Sequence, residues 1–447
     1  MRPVTAAGPP PLEPHVWPSG AALDDAGVLH LSGLDVRALA GRHGTPAWLV
    51  DEDDLRARAR AWRAAFPAHR ADVWYATKAF LTVALARWVL EEGLGLDVAS
   101  GGELAVAVAA GAPGERLLLH GNNKSVAELE AAVDAGVRVV VLDCAEEVTR
   151  LAAVAAARGV RQSVYVRVAP GVEAHVHEYV ATATEDQKFG LGIEDGAAEA
   201  VVDAVLAEPA LELRGLHCHV GSHVVDLLGF EAAVDRMVGL LARLRDERGL
   251  ELPELDLGGG LGIAYTAKDE ELPAGEFAAG LTAAVGKACA DAGLAVPRLG
   301  VEPGRAVAGP STVTLYEVGV VKDRAGLRRY VSVDGGMSDA PRTPLYGSTY
   351  TARLADRRGA EEQVLCRVVG KHCESGDVVV RDVHLPADVR AGDLLAVPGG
   401  GAYHHSMASN YNRLPRPPVV ALRDGESRVL VRRETHEDLL RLEVGTP

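Results

Sequence analysis

A chain of 447 residues with 48% hydrophobic and 24% charged side chains has the balance of a soluble globular protein, and it is long enough for two domains. A net charge of −16 without any lysine- or arginine-rich block excludes the footprint of a nucleic-acid or anionic-membrane partner. The five cysteines, Cys144, Cys218, Cys289, Cys366 and Cys373, are odd in number and include no Cys-x-x-Cys, so neither a disulfide framework nor a cysteine zinc site is expected.

Residues 1–26 begin Pro-rich, with Gly8 to Pro18 reading as a mobile or surface-hugging arm. No basic region precedes an apolar core there, and no apolar run reaches membrane-spanning length, so a cytoplasmic protein is expected. Residues 27–52 predict a helix near Asp35–His43 and a strand near Pro46–Val50, expected to pack with the C-terminal part of the chain.

From 53 to 309 the pattern is rhythmic. Short β-branched runs alternate with Ala/Leu/Glu-rich helical stretches. Strands are predicted at 73–78, 94–100, 116–122, 137–143, 163–169, 213–220, 254–259 and 298–304. Roughly eight β/α units close a parallel barrel. A doubly wound open sheet is the other reading, but the Gly-x-Gly-x-x-Gly turn it calls for after its first strand is missing. From 310 to 447 strand-like runs follow one another without helices between them, which predicts an antiparallel β domain, a barrel or sandwich.

Chemistry collects at the C-terminal ends of the predicted barrel strands, the face that carries active sites in this architecture. Lys78 ends the first. A lysine there is either a snorkelling side chain or an amine used on a carbonyl cofactor. Asp97 ends the second, His120-Gly121-Asn122-Asn123-Lys124 follows the third, and Arg167 ends the fifth. His217-Cys218-His219-Val220-Gly221-Ser222 follows the sixth. Gly258-Gly259-Gly260 after the seventh suits a phosphate, or else is a tight turn. Glu302-Pro303-Gly304-Arg305 follows the eighth.

His217 and His219 share a strand face, but no third ligand stands at a persuasive spacing, so no metal is expected. His175 and His177 read as solvated loop residues. In the β domain, Cys373-Glu374-Ser375-Gly376-Asp377 offers a proton donor, or a small buried residue beside a surface carboxylate.

These motifs, in this order, resemble the fold type III pyridoxal-phosphate decarboxylases, and within them the actinobacterial enzymes acting on diaminopimelate. The resemblance runs from about Val16 to Leu442. It is carried by Tyr75-Ala76-Thr77-Lys78-Ala79, the His120 and His219 motifs, Leu257-Gly258-Gly259-Gly260, Glu302-Pro303-Gly304-Arg305, Cys373-Glu374-Ser375-Gly376-Asp377 and Gly401-Ala402-Tyr403.

The resemblance implies a homodimer with shared active sites and pyridoxal 5'-phosphate as cofactor. It implies that Lys78 carries the cofactor and that Glu302 faces its pyridine nitrogen. Asp97 belongs to the same cofactor set, and His219 stacks on the ring. Ser222, Gly258, Gly259, Gly260, the Pro303-Gly304-Arg305 turn and Tyr403 hold the phosphate end. Arg305, Arg342, Tyr346, Glu374 and Tyr403 read the substrate. Cys373, from the other subunit, returns a proton to Cα.

The implied reaction is decarboxylation of meso-2,6-diaminopimelate to L-lysine, the last step of lysine biosynthesis. One departure stands out. The family has Asn where Ala340 stands and Pro-Ala where Thr343-Pro344 stand, although Arg342 and Tyr346 are kept. A decarboxylase for another diamino acid such as ornithine is the alternative. A non-catalytic binding protein of the same fold would be expected to lose Lys78 or Cys373.

Overall fold

The computed structural model describes residues 11–172 and 188–445. His175 and His177 lie outside the described residues. The chain divides into two compact units, one built from residues 58–262 and 271–307, the other from residues 1–57, 263–270 and 308–447.

The first unit is the expected parallel barrel. Its strands are β1 (Ala71–Ala76), β2 (Gly95–Val98), β3 (Leu117–Leu119), β4 (Val139–Leu142), β5 (Gln162–Ala169), β6 (Leu211–His217), β7 (Glu254–Asp256) and β8 (Arg298–Val301). Each pairs in parallel with the next, and β8 returns to β1 through Leu299↔Ala71, so no edge is left open. The strands are nearly continuous apolar runs, as a sheet covered by helices requires.

The barrel's N-terminal end is fastened electrostatically. Arg138 donates to Asp72 at 2.6 Å and to Glu254 at 3.0 Å, and its guanidinium lies 5.5 Å from the Trp74 ring centre. Arg298 donates to Asp72 at 2.7 Å and Arg214 to Glu254 at 2.8 Å. Above this network Trp74, Leu118, Val139, Val141 and Tyr165 form a dry layer. This end is built for stability and leaves the opposite end free for chemistry.

The second unit corrects one expectation. Its main sheet runs Val378–Pro386, Gln363–Val369, Arg328–Val333, Thr312–Arg324, Ala47–Asp51, Val419–Arg423, Glu426–Val431. Two of these pairings are parallel: Arg328–Val333 with Gln363–Val369, and Ala47–Asp51 with Val419–Arg423. The domain is therefore mixed rather than antiparallel. Parallel pairing needs a long return, and the two are supplied by the chain between 333 and 363 and by the chain between 51 and 419, which holds the barrel and most strands of this unit's main sheet. Val16 and Trp17 are buried in this unit's core with Leu29, Leu49 and Leu315.

Candidate active site

At the C-terminal end of the barrel, β1 passes directly into a 3-10 turn, Thr77–Ala79, that carries Lys78. Thr77 locks this turn. Its hydroxyl donates to the Asp97 carbonyl at 2.7 Å and contacts Glu103 Oε2 at 3.1 Å. Glu103 in turn accepts the Ala99 N–H at 2.7 Å, and Ser100 caps the helix Gly101–Ala109 by accepting the Glu103 N–H. The Lys78 side chain is 43% exposed, and its Nζ lies 3.9 Å from Asp97 Oδ2.

Behind Lys78 sits a buried acid–imidazole cluster. His120 Nε2 lies 2.7 Å from Glu302 Oε1 and 3.7 Å from Asp97 Oδ1. His217 Nε2 reaches the same Glu302 oxygen at 3.2 Å, and the two imidazoles pack edge to face with centres 4.6 Å apart. Burial pushes the Asp97 carboxyl up to about 6 against the pull of His120. Burial also works against charge on Glu302, but the two imidazoles overcome it and hold that carboxyl well below its usual range. Burial takes His217 down to about 3, so this imidazole is neutral. The ligand atoms of His120, His217 and Glu302 lie within 4.8 Å of one another, a spacing a cation could bridge. The 2.7 Å separation of His120 Nε2 and Glu302 Oε1 is an ion-pair distance, and neither atom has a hydrogen-bond partner of good geometry among the described residues.

The glycine run after β7 is a cradle. Gly258 has φ +69°, and a Cβ on it would meet the Cys218 carbonyl at 2.6 Å and His219 Nδ1 at 2.8 Å. Gly260 has φ +120°, and its Cβ would fall 2.1 Å from the Gly221 carbonyl. Only glycine fits either position. The Gly258 N–H is fixed by Asp256 at 2.8 Å, and the Gly259 N–H donates to His219 Nδ1 at 3.2 Å. Burial and the nearby Lys78 charge hold the His219 imidazole neutral. Arg305 is 4% exposed and donates to the Ser222 hydroxyl at 2.7 Å. Pro303 and Gly304 lie buried in the connection after β8.

These residues fit a pyridoxal phosphate. They combine an accessible amine, a buried anionic carboxylate, a neutral flat imidazole, a glycine turn and a paired hydroxyl and guanidinium.

In the second unit, the Arg342 guanidinium carbon lies 5.5 Å from the ring centres of both Tyr346 and Tyr403. Its Nη2 donates to the Ser348 hydroxyl at 3.2 Å, while the buried Nε has no hydrogen-bond partner among the described residues. Cys373 is exposed, and its N–H donates to Asn412 Oδ1 at 3.0 Å. Glu374 is exposed beside it. Asp377 props this loop, accepting the Met337 N–H at 2.6 Å and the His372 N–H at 2.8 Å.

Two parts of the site were not singled out in the sequence: the convergence of His120 and His217 on Glu302, and the fastening of Gly258 by Asp256. The residues were visible as motif members, but no local spacing announces partners that come from different strands.

The family model described as "pyridoxal-dependent decarboxylase, pyridoxal binding domain" matches residues 52–309. A diaminopimelate decarboxylase of Mycobacterium tuberculosis is 52% identical over 97% of this chain and 98% of its own length. That of Bacillus subtilis is 43% identical over 94% of this chain and 95% of its own. A crystal structure of diaminopimelate decarboxylase from M. jannaschii in complex with L-lysine superposes with a TM-score of 0.90, at 29% identity over 96% of this chain and 99% of that one.

Proposed function

The chain belongs to the pyridoxal-dependent decarboxylases, and from that premise we infer that it is a diaminopimelate decarboxylase, releasing CO2 from meso-2,6-diaminopimelate and leaving L-lysine. The observation that carries this reading is the 52% identity along 97% of the chain. The cofactor is pyridoxal 5'-phosphate, which when bound supplies the electron sink for the electron pair left at Cα as CO2 departs.

The chain's own groups do the rest. Lys78 would hold the cofactor through its amine. Glu302, held anionic by its two imidazoles, faces the pyridine nitrogen and keeps it protonated. His219 presents a neutral ring face, so it stacks without competing for the charge of Glu302. The Gly258–Gly260 turn, Ser222, the Gly304-Arg305 turn and Tyr403 hold the phosphate end. Asp97 lies beside Lys78 and orients its amine.

The distal end of the substrate is itself an amino acid. Its carboxylate suits the planar fork of Arg342 or Arg305, and its ammonium suits Glu374. Tyr346 and Tyr403 flank Arg342 and limit its rotamers. Cys373 returns the proton to Cα and is assigned to the active site of the other copy in a homodimer. Among the described residues no helix is long and apolar enough to cross a membrane.

The test is a substrate panel with CO2 and L-lysine detection on protein reconstituted with pyridoxal phosphate. Turnover of meso-diaminopimelate well above that of ornithine, arginine and lysine is expected. No CO2 from meso-diaminopimelate would overturn the substrate assignment.

A further inference from the structure

Between Lys78 and Glu302 runs a line of buried acid and imidazole groups, in which His120 has no task of its own in the scheme above. Lys78 Nζ stands 3.9 Å from one oxygen of Asp97. The other Asp97 oxygen stands 3.7 Å from His120 Nε2, which is 2.7 Å from Glu302 Oε1. His217 closes the line on that same oxygen at 3.2 Å. The side chains of Asp97, His120, Glu302 and His217 are at most 8% exposed.

We propose that His120 is a positioning residue: its Nε2 sits against Glu302 in preference to Asp97, which favours the charge and sets the aim of the carboxylate that faces the cofactor's pyridine nitrogen. The proposal rests on that reading of Glu302. Two carboxylates flank one imidazole nitrogen at unequal distances. Nε2 stands 2.7 Å from Glu302 and 3.7 Å from Asp97, so its electrostatic pull falls mainly on Glu302.

The charge states agree with this division. Glu302 is held below its usual range and Asp97 is pushed to about 6. His217, neutral and packed edge-on against the His120 ring, stands 3.2 Å from the same Glu302 oxygen and fixes the plane of the His120 ring.

Without the His120 N–H, Asp97 and Glu302 share a dry pocket with one fewer proton donor between them, and burial then favours protonation of Glu302. A protonated Glu302 no longer offers the negative charge that keeps the pyridine nitrogen protonated, and the ring loses electron demand. The effect falls on the chemical step and on the cofactor's electronic state, and little of it on substrate binding.

The experiment compares holoenzyme of wild type, His120→Phe, His120→Gln, His217→Phe and Glu302→Gln. It reads kcat, KM, the cofactor's visible absorbance and the dissociation constant of pyridoxal phosphate, with circular dichroism as the check on folding. Phe keeps the ring and removes the N–H, whereas the Gln amide restores a donor close to the Nε2 position. His120→Phe is expected to lower kcat by about tenfold or more with KM within about twofold, and to move the absorbance towards that of Glu302→Gln. His120→Gln is expected to recover most of kcat and the wild-type spectrum.

If Glu302→Gln alters the spectrum while folded His120→Phe matches wild type, the His120 inference fails and the reading of Glu302 stands. If Glu302→Gln itself leaves spectrum and kcat unchanged, that underlying reading fails. Should His120→Phe not fold, His120→Gln and His217→Phe decide. A wild-type spectrum and kcat in His217→Phe, or a His120→Gln protein that folds but resembles Glu302→Gln, overturns the proposal.

Discussion

Lys124 and Glu147 form a buried ion pair, with Nζ 2.9 Å from Oε2 and the two side chains 3% and 0% exposed. Lys124 also donates to the carbonyls of Gly121 at 2.5 Å and Val141 at 2.7 Å, so all three ammonium protons are used. Glu147 accepts the Lys124 and Asp143 N–H groups as well, at 3.0 and 2.9 Å. Burial alone would drive Lys124 to its neutral form, and Glu147 opposes this. The pair therefore ties the ends of β3 and β4 together and takes no part in chemistry. Lys124→Met should destabilise by about 3–5 kcal/mol, because it strands a buried carboxylate. Lys124→Met combined with Glu147→Leu should recover most of that loss. Urea denaturation measures both, and a single variant as stable as wild type would contradict the assignment.

Lys78 is the contrasting lysine. Its side chain is 43% exposed at the mouth of the barrel, so removing it strands little. Lys78→Ala should keep its denaturation midpoint, within about 0.5 kcal/mol of wild type. It should lose the visible absorbance of the holoenzyme and essentially all decarboxylation. Retention of the absorbance in the variant would exclude Lys78 as the cofactor-bearing amine.

The comparison of these two lysines shows what the sequence could carry. Both follow a strand, and both stand in polar motifs. Only the partners tell them apart, and Glu147 arrives from a helix one β/α unit later. The eight barrel strands were legible because their apolar runs alternate with helical stretches. Except in the fifth, which ends at Ala169 as expected, their C-terminal ends were set too late, with the first strand extended to Lys78 when it stops at Ala76. The site's polar residues and glycines follow the strands without a break, and nothing local marks where pairing ceases. The parallel pairings of the second unit were hidden for another reason. The Ala47–Asp51 strand finds Val419–Arg423 across the whole barrel sequence, and single-strand patterns carry no record of a partner so distant.

The glycine cradle gives a steric prediction. A Cβ at position 258 would press on the Cys218 carbonyl and on His219 Nδ1, at a backbone φ of +69° that side chains resist. Gly258→Ala should shift the loop that offers its N–H groups to the phosphate. Pyridoxal phosphate should then bind at least about tenfold more weakly, with a destabilisation of about 1–3 kcal/mol. Fluorescence titration of the apoprotein with the cofactor reads the first and denaturation the second. Unchanged cofactor affinity would remove the Gly258 turn from the phosphate site.

Asp339 gives the chain a pH-dependent element outside the barrel. It is 2% exposed, accepts the Tyr316 hydroxyl and the Gly336 N–H, and burial pushes its carboxyl to about 7 from an ordinary 3.8. Because the folded value is the higher one, the folded state holds the proton more tightly than the unfolded chain. Its contribution is therefore complete below about pH 3.8 and is lost as pH rises through about 7. The slope is at most about 1.4 kcal/mol per pH unit. Asp97 acts in the same direction, towards a folded value of about 6. Asp339→Asn should be less stable than wild type at acid pH, since its amide cannot accept both bonds, but its stability should fall less steeply between pH 4 and about 7. Parallel pH profiles of wild type and variant would refute the buried neutral carboxyl.

Arg342 is the residue on which we propose that substrate choice turns. The Ala340–Pro344 stretch departs from the family pattern, yet Pro344 falls in the first turn of the helix Arg342–Tyr346, where the amide hydrogen it lacks has no intrahelical partner to lose. The helix is therefore kept, and the guanidinium stays 5.5 Å from the rings of Tyr346 and Tyr403 with its Nε unsatisfied. A planar fork held between two rings, with a donor unused, suits a carboxylate that takes two parallel hydrogen bonds. Lysine offers a point charge there and no fork. Arg342→Lys should lower kcat/KM for meso-diaminopimelate by roughly 10- to 100-fold, mostly through KM, which corresponds to about 1.4–2.7 kcal/mol of charge-assisted binding. Any residual turnover of ornithine, which has no distal carboxylate, should change less than about threefold in the same variant. Equal losses on both substrates would show that Arg342 supports the loop and does not read the distal carboxylate.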